Sequence, residues 1–136
     1  MRDRWLVIAV GTEHGEDAAA LRVLDHLAAS GVRTAATASP GTDLLPLLRG
    51  EEAAVIVDAI RTGAIPGTLR VLGRDELALF DAPISSHGLG VGETLALGDA
   101  MGELPPRLEL VGVEAGMFDP AVAARALVEL LHELRA

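Results

Sequence analysis

The run Ala53-Ala54-Val55-Ile56-Val57 ends in a single carboxylate, Asp58. A continuous apolar run with a β-branched centre shows no alternation between faces. It reads as a strand buried on both sides of a parallel sheet. Such a strand needs cover above and below, which the rest of the chain must supply. An aspartate at its C-terminal end would stand on the edge where open α/β sheets build their sites. Asp58 is therefore either a functional group or a turn-starting residue.

The rest of the chain supplies the cover. Trp5 to Val10 reads as a first buried strand, ending at Gly11. Glu16 and Asp17 open a helix whose apolar stripe is Ala20, Val23, Leu24 and Leu27. Acidic residues in a first turn suit the helix dipole, so capping alone also accounts for them. Val32 to Ala38 is the second strand, Pro40 to Asp43 a turn, and Leu44 to Leu48 a short helix. Gly63 and Pro66-Gly67 punctuate the loop after the Asp58 strand. Thr68 to Leu72 reads as a fourth strand, antiparallel at an edge. Phe80 to Gly90 has no clear period, a helix follows from Gly92 to Met101, and Pro105-Pro106 stops it. Leu108 to Val113 is the fifth strand. Asp119-Pro120 starts a last helix with Leu127, Leu130, Leu131 and Leu134 on its buried stripe. This β-α-β-α-β-β-α-β-α order predicts one α/β domain over residues 1–136. Its expected form is three layers, α/β/α, around a mostly parallel, twisted five-stranded sheet.

Composition narrows the function. Half the residues are hydrophobic but only 2% are aromatic, so Leu, Val, Ile and Ala must build the core. The formal net charge of -9 argues against nucleic acid and anionic membranes as partners. The absence of cysteine excludes disulfides, thiolate metal sites and a cysteine nucleophile. The apolar run from Trp5 is too short for a signal peptide core or a membrane span, so a cytoplasmic location is expected.

Three polar groups fall where this topology builds a site. Asp17 follows the first strand, Asp58 ends the third, and His87 lies in Ser85-Ser86-His87-Gly88-Leu89, ahead of a helix. Two carboxylates and an imidazole make an oxygen and nitrogen ligand set. It suits a divalent transition metal that keeps positions open for substrate or water. Capping, turn formation and a solvated loop histidine are the competing readings of the same three residues. Other schemes find less support. Gly11-Thr12-Glu13-His14-Gly15 lacks phosphate-binding glycine spacing and carries an acid where an anion would sit. No G-x-S-x-G elbow marks Ser85 or Ser86 as a nucleophile, and no H-E-x-x-H zinc helix occurs. His26 and His132, on helices, receive no role.

Through nearly its whole length the chain resembles the hydrogenase maturation endopeptidases, which trim the C-terminal extension of nickel–iron hydrogenase large subunits. Gly11-Thr12-Glu13-His14-Gly15-Glu16-Asp17-Ala18 resembles the family's G-N-x-L-x-x-D-D/E-G opening, in a loop one residue shorter. Gly41-Thr42-Asp43-Leu44-Leu45 resembles its G-T-x-G-x-x-L segment, and Val57-Asp58-Ala59 with Pro66-Gly67-Thr68 its V-D-A…P-G-T pattern. Ser85-Ser86-His87 resembles its S-x-H loop, and Val111-Gly112-Val113-Glu114 its late G-I-E-P strand. The resemblance implies a metal-dependent endopeptidase with Asp17, Asp58 and His87 as catalytic metal ligands. Glu16 substitutes for Asp17 if the loop is aligned without its gap. It also implies nickel supplied by the precursor, and that precursor as the protein partner. Thr12 stands where the family has Asn, and Ala18-Ala19-Ala20 where its helix entry is glycine-rich. These departures leave a second expectation open: a non-catalytic relative that binds a metallo-subunit as chaperone or adaptor.

Overall fold

The computed structural model describes residues 5–11, 18–73, 75–76 and 90–134. Five strands form one sheet: β1 (Trp5–Val10), β2 (Arg33–Thr37), β3 (Ala53–Ile60), β4 (Leu69–Leu72) and β5 (Arg107–Glu114). Their order is β2-β1-β3-β5-β4. The first four in that order run parallel, and β4 pairs antiparallel with β5 at the edge. Four α-helices complete the layers: α1 (Ala19–Leu27), α2 (Pro40–Leu48), α3 (Val91–Ala100) and α4 (Pro120–Leu134). The expected α/β architecture is the observed one.

Alternation along the strands splits the core in two. Trp5, Val7 and Ala9 of β1 face the same side as Ala53, Val55 and Val57 of β3, and there they meet α1 and α4 through Val23, Leu27, Leu127 and Leu131. Leu6, Ile8 and Val10 face the other side with Ala54, Ile56 and Ile60, and meet α2 and α3 through Leu44, Leu48 and Leu95. Both faces of β1 and β3 are covered, which is why neither run shows a hydrophobic alternation.

Two element boundaries differ from expectation by more than one residue. Pro40 to Asp43 is the first turn of α2, not a separate turn. Proline at the first helical position lacks only an N–H that has no helical partner there, and Asp43 suits the positive end of the helix. β3 runs two residues beyond Asp58, because β5 continues to pair with it through Ile60↔Glu114. α1 runs from Ala19 with no side-chain cap at Ala18, and Glu16 and Asp17, expected to open this helix, lie outside the described residues. Among the described residues no helix is long and apolar enough to cross a membrane.

Candidate active site

The C-terminal ends of the parallel strands share one edge, and the chain changes direction there. β1 leads through α1 to β2 on one side. β2 leads through α2 to β3 on the other side of β1. The point between β1 and β3 is the switch point at which open α/β sheets take ligands.

Asp58 lies at this opening. The β1–β3 ladder ends at Ala9↔Val57, so Asp58 is the first β3 residue beyond it. On its other flank Asp58 is still held, opposite Gly112 of β5. The side chain is half-buried, and strand alternation sets it with Ile56 and Ile60 on the α2–α3 side. The Ala59 N–H donates to Asp58 Oδ1 at 2.7 Å, which fixes one carboxylate oxygen.

Neighbouring elements hold the frame. The Gly11 N–H donates to the Thr37 carbonyl at 3.0 Å and ties the end of β1 to β2. The buried Thr37 hydroxyl donates to Asp43 Oδ2 at 2.8 Å and accepts from the Ser39 N–H at 2.8 Å, which sets the turn into α2. Gly90 opens α3, where its N–H donates to Glu93 Oε1 at 3.0 Å and the Thr94 hydroxyl donates to its carbonyl at 2.7 Å. α3 precedes β5 and runs opposite to it, so its N-terminus returns to the Asp58 edge. Glu16, Asp17 and His87 lie outside the described residues, as does His14. The segments that carry them begin or end at Gly11, Ala18 and Gly90. Among the described residues no three His, Cys, Asp or Glu side chains are grouped to hold a metal ion.

A second carboxylate on this edge is Glu114, at the end of β5. It is only 4% exposed. Its Oε2 accepts from the Thr62 N–H at 2.8 Å and the Gly63 N–H at 3.3 Å, and its Oε1 from the Thr62 hydroxyl at 2.6 Å. Burial pushes the carboxyl pKa up, but the hydrogen bonds from Thr62, Gly63 and Ala64 outweigh it and hold the group below the usual carboxylate range. The sequence signal was the one that marks Asp58, an acid closing an apolar strand run. In the sequence Glu114 stands only as the last residue of the Val111-Gly112-Val113-Glu114 motif, with no role attached.

The sequence and the fold have counterparts. Residues 37–131 match the family of HycI, hydrogenase maturation protease. The hydrogenase expression/formation protein HupD of Rhodobacter capsulatus is 32% identical over 123 residues, covering 82% of this chain and 59% of HupD. The hydrogenase 2 maturation protease of Escherichia coli K12 is 35% identical over 95 residues, covering 68% of this chain and 58% of that protein. The chain thus spans less than two thirds of the length of these two relatives. The structure of the hydrogenase maturating endopeptidase HybD from E. coli superposes with a TM-score of 0.65 at 29% identity, covering 96% of this chain and 88% of HybD. The match covers most of the chain and includes Asp58, Glu114 and the strands that carry them, so this protein belongs to the hydrogenase maturation protease family.

Proposed function

We propose that this protein is a metal-dependent endopeptidase. It removes the C-terminal extension of a nickel–iron hydrogenase large-subunit precursor once nickel is in place. The observation that carries the reading is Asp58, a half-buried carboxylate at the switch point of a maturation-protease fold. Nickel enters as part of the substrate. Bound beside the scissile carbonyl, a divalent metal supplies Lewis acidity and lowers the pKa of a coordinated water.

The chain's own residues do the rest. Asp58 supplies a carboxylate ligand, and the Ala59 N–H bond to its Oδ1 helps to orient it. That bond keeps the carboxylate from rotating freely, so less ordering is left to do when substrate binds. Asp17, or Glu16 in its place, and His87 complete the ligand set in this reading. The donor chemistry fits: carboxylate and imidazole suit a borderline divalent ion. Precursor recognition then comes from ordinary protein–protein contacts around the edge. The absence of cysteine suits a reducing compartment, and the reading places the protein in the cytoplasm.

The test is a gel-shift assay on a nickel-loaded precursor. Wild-type protein shortens the precursor, while Asp58→Ala and His87→Ala leave it full length. Normal trimming by both variants removes the ligand assignment. Wild-type protein that binds the precursor without shortening it establishes the chaperone or adaptor role instead.

A further inference from the structure

Glu114 is a buried anion whose side-chain partners all come from one short segment. A carboxylate removed from water is tolerated only when hydrogen bonds replace its hydration. Here those bonds come from Thr62 and Gly63, with Ala64 adding a backbone donor, immediately after β3. The Glu114 backbone holds the far end of the same loop. Its carbonyl accepts from the Gly67 N–H at 2.8 Å, and its N–H donates to the Thr68 carbonyl at 2.9 Å. The next residue closes the near end, where the Ala115 N–H donates to the Ile60 carbonyl at 2.9 Å. The loop is also shaped to fit tightly. Gly67 has φ +89°, and a Cβ there would lie 2.8 Å from Phe118 Cβ. A Cβ on Gly116 would lie 2.7 Å from Pro66 Cγ.

We propose that Glu114 is the positioning residue of the active edge: its carboxylate fixes the turn at residues 62–64, and with it the end of β3, so that Asp58 meets the substrate already oriented. Asp58 is two residues before Ile60, the last β3 residue paired with β5. Without the carboxylate, the N–H groups of the turn lose their acceptor. The strand end then opens more often, and the opening can run back through Ile60 and Ala59 to Asp58, because the β1 ladder stops at Val57 and only β5 pairs with this stretch in the sheet. A purely structural Glu114 would stabilise the loop and leave Asp58 unaffected. The catalytic consequence rests on the endopeptidase reading above, but the geometric one does not.

The experiment has two arms on the full chain. Native-state amide exchange compares wild type with Glu114→Gln. Protection of Thr62 and Gly63 falls about tenfold or more, and protection of Ala59, whose N–H holds Asp58, falls with it. The second arm is steady-state trimming of the nickel-loaded precursor. There kcat falls about tenfold or more while KM stays within about twofold. Thr62→Val, which removes only the hydroxyl donor, shifts both readouts the same way by less and serves if Glu114→Gln does not fold. The proposal is overturned if Thr62 and Gly63 loosen while Ala59 keeps its protection, or if folded variant trims with wild-type kcat. A wild-type protein that does not trim defeats the endopeptidase reading, and the exchange arm then decides the role of Glu114 alone.

Discussion

The two ends of the sheet hold their charged side chains in different ways. At the N-terminal ends of the strands stand arginines. Arg33 of β2 grips both oxygens of Glu51 at 2.7 and 2.8 Å, and Arg49 after α2 reaches Glu103 at 3.2 Å. Arg107 of β5 lies 5.1 Å from the centroid of the Trp5 ring and donates to the Leu134 carbonyl. At the C-terminal ends stand Asp43, Asp58 and Glu114, held by hydroxyl and N–H donors. The fold favours part of this difference. Each helix between parallel strands runs back against them, so helix N-termini gather at the C-terminal edge and helix C-termini at the other. The positive ends of the helix dipoles favour carboxylates on one edge, and the negative ends favour guanidinium groups on the other. The difference teaches that one edge is stapled and solvated, while the other holds acids in a partly buried, preformed arrangement.

The largest test of this contrast is Asp58→Ala. Trimming should fall by about a thousandfold or more, equivalent to about 4 kcal/mol in barrier. Thermal stability should not fall, because Asp58 is half-buried at an opening of the sheet and not packed in its core. Side-by-side precursor assays and melting curves decide it. A variant that melts well below wild type would make Asp58 a structural residue and erase the distinction between the edges.

Gly112→Ala comes next. Gly112 pairs with Asp58, and a Cβ there would lie 2.6 Å from Ile60 Cδ1. Ile60 is buried and has little room to turn away. Overpacking of this kind costs about 1–3 kcal/mol, measured by urea unfolding. Trimming per folded molecule should fall as well, since the displaced strand end carries Asp58. Unchanged trimming at reduced stability would show that the active edge tolerates movement.

Acid should separate Glu114 from the surface pairs. Its folded-state pKa lies below the ordinary carboxylate value, because the hydrogen bonds from the 62–64 turn outweigh burial. The unfolded chain therefore binds the proton more readily. Stability from this group is complete above the ordinary carboxylate pKa, and it is lost as pH falls through the lower folded-state value. Urea midpoints of wild type and Glu114→Gln should differ most near neutrality and converge in acid. A gap that stays constant across that range would mean the charge on Glu114 contributes nothing.

Much of this architecture was legible because β1 and β3 up to Val57 are buried on both faces and therefore apolar, as is β5 from Leu110 to Val113. The antiparallel β4 could be read from the tight Pro66-Gly67 punctuation before it. The start of α2 could not. Pro40, Gly41, Thr42 and Asp43 are all turn formers, and only packing of Leu44, Leu45 and Leu48 on the sheet pulls them into a helix. The extension of β3 past Asp58 depends on β5 as partner, some fifty residues away in sequence. For the site, the position of Asp58 on a central strand followed from its apolar run. The clamp at Glu114 did not, because its donors come from a loop that sequence places only by contact with β5. The convergence of Asp17, or Glu16, with His87 remains an expectation carried by the resemblance, on segments outside the described residues.

The smallest effect should come from the opposite edge, and it is the most direct check on the contrast. The Arg33 side chain is 52% exposed, and a single guanidinium nitrogen is shared between both Glu51 oxygens. Water competes for both ions, and ordering two long side chains costs entropy. Arg33→Ala should therefore lower stability by about 0–1 kcal/mol. Salt should shrink even this, because the Debye length falls from about 10 Å at 0.1 M to about 3 Å at 1 M. Trimming per folded molecule should not change, since the pair lies at the far end of the strands from Asp58. Urea unfolding at the two salt concentrations measures the first two points and the precursor assay the third. A loss of several kcal/mol that salt does not reduce would mean that the arginine edge is a buried, preformed network as well. Helix dipoles would then sort the sign of charge between the edges without setting which edge is rigid.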